Sequence, residues 1–166
     1  ILLLLTVHTA YAAPRPSVGK VFALEGKAWR GATTTDLDSR NTPLAVGDSV
    51  YERDYLQTGE QSKLQIVFGT CRTKLSLGPD SRLHLERYVR KLRARKREGS
   101  SILSLLKGKL QFITTALFGS RHRMTIKAES ATCAIRGTRG LALIGRQGTV
   151  FANLTGDGTK KGPPSM

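Results

Sequence analysis

Residues 47–85 read GDSVYERDYLQTGEQSKLQIVFGTCRTKLSLGPDSRLHL, and this stretch decides the fold. Leu64, Ile66 and Phe68 alternate with Lys63, Gln65 and Val67. Leu75 and Leu77 resume the alternation, and Leu83 and Leu85 take it up again. A period of two sends successive side chains to opposite sides of an extended chain, so each run reads as a half-buried β-strand. The breaks carry turn chemistry: Thr58-Gly59-Glu60, Gly69-Thr70 and Gly78-Pro79-Asp80-Ser81. Short strands recurring every ~8–12 residues predict an all-β domain, either a β-roll of solenoid-like stacking, a barrel or a sandwich.

The flanks extend this reading. Residues 15–31 predict a hairpin that turns at Glu25-Gly26 and carries Val21, Ala23 and Ala28 on one side. Residues 32–42 are polar and rich in Thr, Asp and Asn, which predicts a loop. Leu103, Leu105, Leu110 and Phe112 predict the core face of two strands separated at Lys107-Gly108, since Gly108 and the β-branched Ile113 and Thr114 disfavour a helix. Residues 116–123 read as a loop. Met124, Ile126 and Ala128 alternate again, residues 134–144 read as strand, glycine kink and strand, and residues 149–154 as a last strand after a Gly145–Gly148 turn. One compact domain over 13–158, followed by a flexible tail at 159–166, accounts for the pattern. Ahead of it, ILLLLTVHTAYA (1–12) is apolar and ends in Ala10-Tyr11-Ala12 before Ala13, the pattern of a secretory signal peptide's end. It is shorter than the ~20 residues a bilayer span needs, so the expected location is the periplasm or the exterior; the rival reading is the last half of a transmembrane helix in a longer protein.

The net charge of +15 is unevenly placed. Residues 13–60 hold six Lys/Arg against seven Asp/Glu, whereas residues 61–166 hold twenty-one against five. Such a field favours anionic partners. The densest cation run is Arg87, Arg90, Lys91, Arg93, Arg95, Lys96 and Arg97. One reading is a solvated hairpin extension. The other is an anion-binding strip in which Arg93, Arg95 and Arg97 share one side of a strand. Tyr88 is the one aromatic within it, which gives base stacking of single-stranded nucleic acid little support.

Three blocks in order resemble the FecR domain family: Gly47-Asp48 with Asp54-Tyr55-Leu56-Gln57-Thr58-Gly59 and the strands up to Leu75-Ser76-Leu77-Gly78; then Leu106-Lys107-Gly108-Lys109-Leu110; then Ala131-Thr132-Cys133-Ala134-Ile135-Arg136-Gly137-Thr138. The sequence departs from the family where Cys71-Arg72-Thr73 replaces the usual Asp-Gly-Ser/Thr, and where Ala128-Glu129 replaces Thr-Pro. The resemblance implies a non-enzymatic all-β module of the bacterial envelope, with Gly47, Asp48, Asp54, Thr58, Gly59, Arg136, Gly137 and Thr138 as motif positions. It also implies a protein partner, because the best-known members relay iron-siderophore status from an outer-membrane receptor to a cytoplasmic sigma factor. Those members carry a cytoplasmic segment and a membrane span ahead of this domain, so the resemblance speaks for the module and its compartment more than for the iron role. The alternative is an envelope or surface protein that grips an anionic polymer through the basic strip.

Chemical motifs are few. His84 and His122 stand at no metal-ligand spacing, so neither a metal nor a cofactor is expected. His84, between Leu83 and Leu85, is placed on the outer side of its strand. Gly47-Asp48-Ser49 mimics an esterase nucleophile block, but no later Asp-x-x-His supplies the base. Asn153-Leu154-Thr155 is a formal glycosylation sequon and is read as chance. Arg136-Gly137-Thr138-Arg139-Gly140 reads as a strand with a glycine bulge whose Arg136 pairs with a carboxylate such as Asp48 or Asp54; a ligand clamp is the rival reading. Cys71 and Cys133 are an even pair in a compartment that permits disulfides, and a bridge between them would close a loop of about 60 residues and contribute roughly 4 kcal/mol. Two free thiols, one buried as a small apolar side chain, fit the sequence equally.

Overall fold

A computed structural model of the chain describes residues 15–39, 42–69, 73–93, 96–114, 120–135, 139–145 and 148–153. In chain order the elements are β1 (Ser17–Glu25), β2 (Ala28–Gly31), α1 (Thr34–Asp38), β3 (Thr42–Pro43), β4 (Ser49–Tyr51), β5 (Tyr55–Thr58), β6 (Lys63–Phe68), β7 (Thr73–Leu77), β8 (Arg82–Arg93), β9 (Lys96–Ile113), β10 (Ser120–Ala128), β11 (Ala131–Ile135), β12 (Arg139–Gly145) and β13 (Gly148–Asn153). The fold is all-β. The predicted signal peptide and tail lie outside the described residues.

The long strand β9 is the spine. Its first half pairs antiparallel with β8 and parallel with β10. Its second half pairs antiparallel with β7 and with β12. Gly108, at φ +84°, stands between the halves. One layer therefore runs β3-β2-β5-β8-β9-β10-β11 and the other β4-β1-β6-β7-β9-β12-β13. The two close on a single core. Leu56, Leu83, Leu85, Leu103, Leu105, Met124 and Ile126 come from the first layer, and Val21, Leu64, Ile66, Phe68, Leu75, Leu77, Leu110 and Phe112 from the second. The alternation read from the sequence is the alternation of burial, since β6 is buried at every second residue. The predicted core face Leu103, Leu105, Leu110 and Phe112 is at most 3% exposed.

Four expectations are corrected. Residues 15–31 are not a hairpin: β1 pairs with β4 and β6, β2 pairs with β3 and β5, and Glu25-Gly26 is the corner where the chain passes between layers. Gly26 has φ +74°, the Lys27 N–H donates to Ser62 Oγ at 2.8 Å, and the Gly59 N–H donates to Lys27 O at 2.9 Å, so this corner is fastened to the β5–β6 turn. Residues 32–42 are not all loop, because Thr33 and Asp36 form a reciprocal capping box that starts α1 and lets Leu37 be fully buried. The strands are not uniformly short: β8 has 12 residues, and the two strands predicted about Gly108 are one bent strand of 18. Finally, β10 begins at Ser120, inside the predicted 116–123 loop, and lies parallel to β9.

Candidate functional site

The motif residues of the organising stretch build corners. Gly47 has φ +97°, a conformation suited to glycine, and its N–H donates to Val21 O at 2.9 Å. Asp48 closes the same turn, accepting the Ala45 N–H on Oδ2 at 2.8 Å, while its carbonyl receives the Val21 N–H at 2.8 Å. Together they clamp the middle of β1. Asp54 is 1% exposed. It accepts the Tyr51 N–H at 2.9 Å and Arg15 Nη2 at 2.9 Å, with Arg30 Nε 3.9 Å away. Burial pushes the Asp54 carboxyl above its ordinary value, and the Tyr51 N–H and the two guanidinium groups offset this only in part. Thr58 Oγ1 donates to Gly78 O at 2.6 Å and accepts the Ser81 N–H at 3.0 Å, and the Asp80 N–H reaches Gly59 O at 2.9 Å. The Asp-x-x-x-Thr-Gly element is thus the buried tie between β5 and the turn entering β8. Arg136, Gly137 and Thr138 lie outside the described residues, and the carboxylate proposed for Arg136 is held by Arg15 and Arg30 in the case of Asp54.

The outer side of the first layer carries a polar row. Tyr55 and His84 are paired across β5 and β8 and stack at 3.9 Å, 2° from parallel. Beside them Glu86 accepts hydrogen bonds from Ser104 Oγ and from Lys127 Nζ, the latter at 2.8 Å. Burial pushes the Glu86 carboxyl up, but the bonds from Lys127 and Ser104 and the charge of Lys127 outweigh it and hold the carboxyl below its usual value. Burial lowers His84; Glu86 opposes this and Lys127 adds to it. His84 is therefore on the outer side, as the sequence placed it, and the fold shifts it toward its neutral form. An unfolded chain binds a proton to His84 at a higher pH than the folded one, so its contribution to stability is complete above 6.5 and is lost as pH falls toward the lowered folded value. His84→Phe, which keeps a ring against Tyr55, is expected to flatten the fall in thermal midpoint between about pH 7 and pH 5.5 relative to the parent. Identical slopes for parent and variant in that interval would rule this out.

The basic strip maps onto the far end of β8 and β9. Arg93 pairs with Lys96, Leu92 with Arg97, Lys91 with Glu98 and Arg90 with Gly99. Arg93 and Arg97 therefore stand on different strands, and the expectation of three arginines along one strand is corrected: the chain reverses between them. The structure adds a third strand that the sequence reading missed. Parallel β10 places Arg121 beside Glu98 and Arg123 beside Ser100. By backbone register the end of the first layer thus places Arg87, Arg90, Lys91, Arg93, Lys96, Arg97, Arg121 and Arg123 on three adjacent strands, with Glu98 the acidic residue among them and Glu86 preceding Arg87. Arg95 lies outside the described residues. On the side of β8 away from β9, strand pairing ends at His84, so Arg87–Arg93 is an edge among the described residues. At its root Tyr88 meets Phe68 edge-on at 5.2 Å and borders an open cleft of about 500 Å³ with Lys20, Phe22 and Val67.

Cys133 is a free, half-buried cysteine on β11, packed against the core, and Cys71 lies outside the described residues. Among the described residues no group of three or more His, Cys, Asp or Glu is placed to hold a metal ion, and no helix is long and apolar enough to cross a membrane. Comparison with curated proteins and with solved structures gave no match. The family comparison did: residues 54–157, which begin at the buried Asp54 and take in β5 to β13, match the model described as FecR protein. That span is more than half of the chain, and the protein belongs to the FecR family.

Proposed function

We propose that this domain is a non-catalytic recognition module of bacterial envelope signalling, working in the periplasm or outside the cell. Family membership supports a signalling or regulatory role at the envelope. The observation that supports a recognition surface is the cationic end of β8, β9 and β10, where eight Lys/Arg fall on three adjacent strands. Charge packed this densely is self-repelling in isolation and is relieved by an opposite charge. The partner this suits is an acidic face of another envelope protein, by family resemblance the periplasmic signalling domain of an outer-membrane receptor. An anionic polysaccharide is the second reading, favoured by the same charge. The motif residues Asp48, Asp54, Thr58 and Gly59 serve the scaffold that holds this end in place.

The combined substitution Arg90→Ser, Arg93→Ser and Arg97→Ser tests the proposal. The thermal stability of the domain is expected to stay within about 1 kcal/mol of the parent, as surface changes usually do. Its association rate with an outer-membrane receptor's signalling domain is expected to fall about 10-fold at low salt, with a weaker dependence on ionic strength. Binding that is unchanged by the substitution removes the cationic end from the mechanism. Binding to a sulfated polysaccharide, with none to the receptor domain, transfers the function to the second reading.

A further inference from the structure

We propose that the side of the domain formed by β11 and β13 is a self-association surface, on which a second copy of this chain lays its own β13 antiparallel to the first. Four observations converge on it. Among the described residues β11 pairs only with β10 and β13 only with β12, so both are edge strands. The two edges meet at one end, where Ser130 Oγ at the entry to β11 hydrogen-bonds Thr149 Oγ1 of β13 at 3.1 Å. Neither ATCAI (131–135) nor GTVFAN (148–153) holds a charged residue or a proline, and both pair in unbroken register. The core is also incompletely closed here: Cys133, Ile144 and Phe151 pack against it while remaining partly buried, and Val150 is 54% exposed.

Among the described residues the other edges are protected. β3 is two residues long and contains Pro43, β4 is three residues long, and the overhanging part of β8 is lined with Arg and Lys. Short length, proline and cations are the devices by which edges avoid pairing with other chains. Among the described residues these devices stand on three edges and are missing from β11 and β13. The occupant has to be uncharged and alternating. Two copies of a cation-rich chain repel least where their uncharged strands meet, since exposed charges farther away are screened by salt. β13 meets these terms with itself. In an antiparallel pairing centred on Phe151, Val150 faces Ala152 of the second copy, a branched side chain against a methyl, and Thr149 faces Asn153. Such a contact is isologous and closes at two copies. It would also cover Phe151 and Ile144 of both.

Sedimentation equilibrium of the full chain over a concentration series, with Val150→Lys beside the parent, is the test. The parent is expected to dimerise reversibly, and Val150→Lys to weaken the dimer at least about 10-fold by placing two ammonium groups in the contact. Val150 is exposed, so the monomer's circular dichroism should be preserved. A measurement on the parent alone guards against a variant that fails to fold: amide exchange at 149–153 should slow as protein concentration rises. A parent that stays monomeric, a Val150→Lys dimer as tight as the parent's, or exchange at 149–153 that ignores concentration would each overturn the proposal.

Discussion

Gly108→Ala is expected to lower the stability of the domain by roughly 3 kcal/mol, the sum of a left-handed backbone penalty and a forced contact. The residue has φ +84°, where an L side chain is strained by about 1–2 kcal/mol. The added Cβ would also come 2.8 Å from the Cα of Ser81. That neighbour is backbone and cannot swing away. It is fixed by the Lys109 N–H donating to Ser81 Oγ at 2.9 Å and by Ser81 Oγ donating to Pro79 O at 2.8 Å. The loss is large because of what bends there. Gly108 is where β9 leaves one layer for the other, so Leu103 and Leu105 below it and Leu110 and Phe112 above it hold their places in one core only while the bend is kept. Urea unfolding with an unchanged m-value measures the cost. Lys109→Ala, at an exposed neighbour in the same strand, is the control and is expected to stay within about 0.5 kcal/mol of the parent. Equal losses for the two variants would mean that the bend is not a strained position.

The same strand shows what a sequence can and cannot disclose. Leu103, Leu105, Leu110 and Phe112 were legible because each layer is wet on one side and dry on the other, and that contrast is written locally as alternation. Whether two adjacent runs pair with each other is not written locally. The Glu25-Gly26 corner has the composition of a hairpin turn, yet β1 and β2 part there, because their partners β6 and β5 are set by pairings between residues well separated in sequence, such as Val21 with Ile66 and Ala28 with Thr58. The helix α1 escaped for a different reason: its capping box uses Asp36 where Glu or Gln is the usual third residue, and a single buried leucine leaves no period to read. The cationic end was half legible. The run from Arg87 to Arg97 is conspicuous in sequence, but Arg121 and Arg123 join it only through the parallel pairing of β10 with β9, a register without a local signature. The polar row of Tyr55, His84, Glu86, Ser104 and Lys127 draws on four strands, and only the outward side of His84 could be inferred from its neighbours.

Thr58→Val is expected to cost about 2–4 kcal/mol, although it keeps the branching of the side chain. Valine keeps the branching at Cβ but puts a slightly larger methyl group where the hydroxyl lies 2.6 Å from Gly78 O, so both hydrogen bonds of Oγ1 are lost and the methyl must also be accommodated there. Thr58 is 1% exposed, and its Oγ1 serves two backbone groups of the 78–81 turn at once, donating to Gly78 O and accepting from the Ser81 N–H. Water does not reach the site to replace either bond, and a buried backbone group left without a partner costs about 1–3 kcal/mol. The Thr58 N–H donates to Ser81 O at 3.0 Å and would remain, so the turn should loosen rather than detach. Thr58→Ser separates the two contributions. It keeps the hydroxyl and removes one methyl group, which predicts a loss near 1 kcal/mol. The order expected from chemical denaturation is parent, then Thr58→Ser, then Thr58→Val. If Thr58→Val proves as stable as Thr58→Ser, the hydroxyl is not what ties β5 to the turn that starts β8, and the Asp-x-x-x-Thr-Gly motif needs a different physical explanation.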